Sequence, residues 1–166
     1  MRAVIIGNSG SGKTWLAKRL GQQSGTPVHH LDEFFWLPGG FNQKRPAYEV
    51  ACRTDAALHE PDCIVEGVFG DLAAPFLPDA DVLFWLDLPW PDCKKRLKAR
   101  GSESKSHMAR AQSDQGLSDL MHWAENYYCR TGDCSRSGHL ELYSAFKGMR
   151  YRLCSQQQVL EYLNAD

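Results

Sequence analysis

At 166 residues the chain has the length of one ordinary domain, enough for a single substantial core and too short for two. A hydrophobic fraction of 43% and a charged fraction of 23% lie near globular averages and exclude the disordered and fibrous classes. The formal net charge of −1 argues against a protein built to grip a polyanion such as nucleic acid. No apolar run approaches the roughly 18 residues of a membrane span, and Arg2 passes straight into apolar residues without a signal-peptide pattern. A cytoplasmic protein with no membrane partner is therefore expected. Cys52, Cys63, Cys93, Cys129, Cys134 and Cys154 lack close-paired spacing, so no disulfide framework is expected and most read as buried thiols.

The first predicted element is a strand over Arg2–Ile6. It runs into Gly7-Asn8-Ser9-Gly10-Ser11-Gly12-Lys13-Thr14, which matches G-x-x-x-x-G-K-[ST] at every fixed position. A helix follows over Lys13–Gln23, with Trp15, Leu16 and Leu20 at helical spacing and Ser24-Gly25 as a stop. Strand, glycine-rich loop and helix in this order define a phosphate-binding loop. Its glycines let backbone N–H groups converge on phosphate oxygens, and the helix N-terminus adds partial positive charge. Lys13 is placed to reach the β- and γ-phosphates of a nucleoside triphosphate, and the Thr14 hydroxyl to ligate Mg²⁺.

Val28–Leu31 reads as a second strand ending at Asp32, where open α/β sheets place their ligands. Phe34, Phe35, Trp36 and Phe41 read as core or pocket wall, and Arg45 and Arg53 as cations for an anionic acceptor. A helix from Pro46 to about His59 carries Tyr48, Val50, Ala51 and Leu58 on one side. Cys63–Val65 and Val82–Leu86 are continuous apolar runs of the kind buried on both faces of a parallel sheet. They are followed by Glu66 and Asp87.

Pro91 opens a basic helix through Arg100. Arg96 and Arg100 lie four residues apart, share a face, and are read as bracketing the triphosphate. Lys94, Lys95, Lys98, Lys105 and Arg110 make the neighbourhood basic. The polar stretch Gly101–Gly116 lacks periodicity and reads as a short mobile lid whose closure excludes water. Helices near Leu117–Cys129 and Leu140–Lys147, a last strand at Tyr151–Cys154, and a capping box of Ser155 and Gln158 opening a final helix complete the chain. The spacing of His122, Cys129, Cys134 and His139 fits no common zinc pattern. The expected architecture is a three-layer α/β P-loop NTPase fold, a mainly parallel five-stranded sheet flanked by helices, in one domain over 1–166 with a lid near 101–116.

No guanine-reading N-K-x-D tetrapeptide and no transporter-type L-S-G-G-Q segment is present. The loop, the segment His30-Leu31-Asp32-Glu33-Phe34-Phe35-Trp36, the stretch Ile64-Val65-Glu66-Gly67, the run Asp81–Pro89 and the Arg96/Arg100 pair together resemble the adenylate-kinase-like P-loop kinases. Within them the likeness is to the small FlaR-type proteins, and it spans most of the chain. This resemblance implies ATP and Mg²⁺ as cofactors and a small-molecule acceptor. It implies that Asp32 orients or deprotonates the attacking hydroxyl, and that Glu66 positions Mg²⁺ through its waters, with Asp87 the rival for that place. One of Arg130, Arg136 and Arg150 is implied as a further phosphate-binding arginine. The competing expectation is a nucleotide-dependent regulatory ATPase or nucleic-acid-binding protein that uses the basic segment Lys94–Arg110.

Overall fold

The computed structural model describes residues 1–38, 43–101 and 110–164, with side chains from 114 onward in the last of these segments. Phe41, Lys105 and half of the expected lid, 102–109, lie outside the described residues. Five strands, β1 (Arg2–Gly7), β2 (Val28–His30), β3 (Cys63–Gly67), β4 (Val82–Leu86) and β5 (Met149–Leu153), form one sheet in the order β2-β3-β1-β4-β5. All four pairings are parallel. The central strands β1, β3 and β4 are buried along almost their whole length, as their unbroken apolar runs require.

Two apolar clusters cover the two faces of the sheet. On one side Ile5, Ile64 and Phe84 meet Leu16, Ala17 and Leu20 of α1 (Lys13–Ser24) and Val159 of α8 (Gln156–Asn164). On the other, Val4, Ile6, Val65 and Trp85 meet α2 (Leu31–Phe35), α3 (Ala47–Leu58), α4 (Gly70–Ala73) and α7 (Arg136–Ala145). The remaining helices, α5 (Trp90–Arg100) and α6 (Arg110–Glu125), pack against each other and flank the loop after β1. This is the expected three-layer α/β fold with a parallel five-stranded sheet.

Several boundaries differ from the sequence expectation, each for a local reason. Leu31 leaves β2 to begin the short helix α2, so Asp32 sits in a first helical turn rather than at a strand end. The stretch read as lid is helical from Arg110, and α6 runs from there to Glu125 before a 3-10 turn at Asn126–Tyr128. Helix α7 starts four residues earlier than expected because Ser135 caps it, accepting from the Gly138 N–H at 3.0 Å. Ser155 likewise accepts from the Gln158 N–H, but the Gln158 side chain reaches back to Cys154 N rather than to the cap residue. Only Cys63 and Cys93 are buried; Cys134 is half-buried and Cys52, Cys129 and Cys154 are exposed, which corrects the expectation of mostly buried thiols.

A buried polar chain ties β4 to α7. Trp85 Nε1–H donates to the Tyr127 hydroxyl at 3.1 Å, that hydroxyl donates to His139 Nδ1 at 2.7 Å, and His139 Nε2–H donates to Val68 O at 2.9 Å. Every member is satisfied only with His139 neutral. Burial, aided by the nearby Lys13 charge, depresses the imidazole from its ordinary 6.5 to about 4, against the Val68 bond. Between those values the unfolded chain binds a proton that the native state refuses. Stability is therefore full above pH 6.5 and falls as pH drops towards 4, by about 1.4 kcal/mol per pH unit from this group. Urea unfolding at pH 7 and pH 5 checks this: His139→Gln should shrink the difference between the two pH values, and an unchanged difference would assign the acid sensitivity elsewhere.

Candidate active site

The Gly7–Thr14 loop is held from two sides before any ligand is considered. Gly10 and Gly12 adopt φ of 79° and 100°, the left-handed region that glycine enters without cost. A Cβ on Gly10 would also lie 2.6 Å from Cys93 O on α5, so the close packing of that helix demands glycine twice over. Arg96 Nη1 donates to Ser11 O at 2.7 Å and Gly10 O at 3.4 Å, while its Nη2 donates to Gln156 Oε1 at 2.6 Å. Buried Asn8 donates from Nδ2 to Ala124 O of α6 at 2.8 Å and accepts the Ser9 N–H on Oδ1. Helices α5 and α6 thus both hold the Gly7–Thr14 loop directly.

Beside the loop, three elements converge on Glu66, a buried carboxylate of β3. Its Oε1 accepts the Thr14 hydroxyl at 2.8 Å and shares a 2.6 Å hydrogen bond with His30 Nδ1 at the end of β2. Burial alone would raise the Glu66 carboxyl. The bonds from His30 and Thr14 and the charge of Lys13 outweigh it and hold the group below its usual value, so it stays ionised. The same bond to Glu66 raises His30, against its burial. Lys13 is buried and rests its ammonium on Asn8 O at 2.9 Å.

Asp32, in the first turn of α2, completes the crevice. Crowding by protein pushes its carboxyl above the ordinary 3.8, Lys13 opposes, and the negative charge of Glu66 adds to the rise. The side chain keeps an exposed edge, and the water there tempers the shift. It makes no hydrogen bond to any described residue. A hydroxyl and an ionised carboxylate sharing one point are hard oxygen donors of the kind Mg²⁺ takes, so Thr14 and Glu66 fit the ion that a P-loop implies.

On the far side of the loop a cavity of about 380 Å³ opens between Ser11, Gly12, Trp15, Arg96, Gln156 and Val159. The Trp15 ring is partly exposed there, and the Arg19 guanidinium lies 5.6 Å from its centroid. Apolar walls with one guanidinium and one side-chain amide suit a nucleobase.

The arrangement separates residues that the sequence grouped together. Arg96 serves backbone carbonyls and Gln156, whereas Arg100, exposed one turn further on, contributes its charge towards Asp32. Arg45 is turned inward: Nη1 bonds Glu49 at 3.0 Å and Nη2 bonds Glu33 O and Trp36 O, leaving the side chain 8% exposed. It locks α2 to α3 and is not free for an anionic acceptor, and Arg53 is an exposed residue of α3. Asp87 is saturated by Arg136 and Arg152, which removes it as the rival of Glu66 for the metal. Arg130 is spent on Cys134 O and Trp123 O, and Arg150 on the carbonyls that end α7. Phe34 is buried, and half-buried Phe35 stacks on Phe69 with centroids 4.6 Å apart. Among the described residues no group of three or more His, Cys, Asp or Glu side chains is placed to hold a metal ion. No helix there is long and apolar enough to cross a membrane.

Three site residues escaped the sequence reading. His30 was visible only as part of a motif, Trp15 as a helix-face apolar residue and Gln156 as an ordinary polar residue of a helix start. Only strand order, which sets β2 beside β3, brings His30 to Glu66.

Solved structures share this fold along nearly the whole chain. Shikimate kinase from Bacteroides thetaiotaomicron superposes with a TM-score of 0.53 at 12% identity, covering 99% of this chain and 95% of that one. Shikimate kinase from Aquifex aeolicus gives 0.53 at 17%, with 99% and 95% covered. The enzyme from Acinetobacter baumannii in complex with shikimate gives 0.52 at 13%, with 99% and 90% covered. At such identities the likeness is one of fold, and the fold is that of the small P-loop kinases. No protein-family model and no curated protein matches the chain, so the resemblance to FlaR-type proteins rests on its motifs alone.

Proposed function

We propose that the protein is an ATP-dependent phosphotransferase acting on a small hydroxylated acceptor, a nucleoside, nucleotide or other metabolite. The observation that carries this reading is the Asp32 carboxylate, which makes no hydrogen bond to any described residue and lies within the fields of Lys13 and Glu66 at the mouth of the phosphate loop. A nucleotide binder has no need of such a group, whereas a kinase needs one to receive the acceptor's proton.

The base fills the cavity at Trp15, Arg96 and Gln156, and the loop amides and Lys13 hold the phosphates. Mg²⁺ held by Thr14, with Glu66 acting through water, would neutralise charge on the β- and γ-phosphates. The acceptor oxygen then bonds to the γ-phosphorus as the bridging oxygen to the β-phosphate departs with ADP, and the hydroxyl proton passes to Asp32. Lys13 and Arg100, whose charges both act on Asp32, would stabilise the charge that develops, and positioning supplies much of the rate.

Screening nucleosides, nucleoside monophosphates and small hydroxy-metabolites for ADP release from Mg-ATP tests the proposal. At least one acceptor should raise ADP formation well above the rate with Mg-ATP alone, with phosphoryl transfer to that acceptor visible by mass. ADP release that ignores every acceptor would overturn it in favour of a slow regulatory ATPase. That alternative draws on exposed Lys95 and Lys98 of α5, and salt-sensitive DNA binding would accompany it.

A further inference from the structure

Where β4, β5 and α7 meet, a charge cluster stands outside the phosphate machinery. Asp87 Oδ1 accepts Nε of Arg136 at 2.9 Å, and Oδ2 accepts Nη2 of Arg136 at 2.8 Å. The same Oδ2 accepts Nε and Nη2 of Arg152 at 3.0 and 2.6 Å. One carboxylate, 3% exposed, thereby holds two guanidinium groups side by side and keeps its charge, since these bonds outweigh its burial.

The cluster is unbalanced in a specific way. Two cations and one anion leave a net positive charge, and the Arg136 and Arg152 side chains are 41% and 39% exposed. Nη1 of each finds no partner among the described residues. Beneath them lies the fully buried Trp85, its ring centroid 5.9 Å from the Arg136 carbon and 4.7 Å from that of Arg152. A cluster serving only stability gains little from the second arginine, because it repels the first and shares an acceptor already engaged. The arrangement is completed by an oxyanion laid across the two free Nη1 groups, which planar guanidiniums recognise well. Its place is also where ligands bind in such sheets. Leu86 is level with Gly7, so Asp87 lies one residue beyond the start of the phosphate loop, at the carboxyl ends of the strands.

We propose that Arg136 and Arg152, aligned by Asp87 over Trp85, form an oxyanion-binding fork that takes a carboxylate or phosphate carried by the acceptor. The acceptor as its source rests on the phosphotransferase reading; the fork itself does not. The phosphate chain of the nucleotide presents the same chemistry, so the test separates the two.

Inorganic phosphate is titrated calorimetrically into Lys13→Ala, in which the phosphate loop is disabled, and into the same protein carrying Arg152→Gln or Arg152→Lys. Phosphate should bind the single variant, about tenfold more weakly with Arg152→Gln, and to an intermediate degree with Arg152→Lys, which keeps the charge without the planar fork. The lysine variant also keeps a cation on Asp87 should glutamine prevent folding. Equal phosphate affinity with and without Arg152, or no phosphate binding to Lys13→Ala, would show the cluster to be structural and overturn the fork. Mg-ATP titrated into Arg152→Gln with Lys13 intact supplies the second arm. Unchanged ATP affinity supports the acceptor as the source, and a loss of about tenfold would overturn that assignment by giving the oxyanion to the nucleotide. Failure of the phosphotransferase reading registers separately, as acceptor-independent ADP release with the phosphate titrations unaffected.

Discussion

Lys13→Ala should remove most of the stabilisation that Mg-ATP gives the protein and reduce phosphoryl transfer to background. A ligand at 100 times its dissociation constant adds about 2.7 kcal/mol to the native state, which for a chain of this size is a melting shift of about 5 to 10 °C. In the variant that shift should shrink to a small fraction. The ligand-free fold should change little, because Asn8 O, which receives the Lys13 ammonium at 2.9 Å, still accepts the Ser11 N–H at 3.2 Å. A loss confined to the ligand-dependent shift therefore separates phosphate binding from a folding defect. Equal Mg-ATP shifts in the two proteins would refute the phosphate assignment of the loop.

The fold was legible because its signals are local. Apolar runs buried on both faces mark β3 and β4 without knowledge of neighbours, and the loop motif fixes the order of β1, turn and α1. What failed were elements whose signals are short or tertiary. Helix α2 has five residues, too few to show a period, and it is held by Arg45 reaching back from before α3 to Glu33 O and Trp36 O. The helical residues 110–116 are mostly polar, so no hydrophobic repeat announces them, and α6 draws its anchorage from Asn8 at its far end.

The site was legible where spacing along the chain decides geometry, and illegible where partners come from afar. Thr14 and Glu66 meet because β1 and β3 pair in parallel with Ile5 opposite Glu66, as a P-loop with a strand-borne acid requires. Arg96 and Arg100 share a helix face yet serve different groups, since the carbonyls of Gly10 and Ser11 lie under one and the Asp32 crevice near the other. A functional arginine and a structural one look alike in sequence. Arg45 becomes structural through Glu49 four residues on, a spacing that already offered an ion pair on or beside the helix. Arg152 offered no signal at all, because only the placement of β5 next to β4 carries it to Asp87.

The Asp32 carboxylate is the group on which the proposed chemistry turns, and Asp32→Asn isolates it. Asparagine keeps the shape, and no hydrogen bond to a described residue is lost, so the fold and the affinity for Mg-ATP should stay near those of the parent. An amide cannot accept the acceptor's proton, however, and removing a general base costs about 10² to 10⁴ in rate. The fall should appear in kcat at saturating ATP and acceptor, since the interaction forms during transfer. The pH profile adds a second signature. Crowding and the Glu66 charge raise the Asp32 carboxyl above its ordinary 3.8, so kcat/KM of the parent should climb with pH along a limb displaced upward from that value. With asparagine that limb should vanish and leave a flat, slow profile. Steady-state turnover against pH, with calorimetric Mg-ATP affinity for both proteins, makes the measurement. If ATP affinity collapses while turnover at saturating ATP survives, Asp32 belongs to the nucleotide site and the proton must leave by another route.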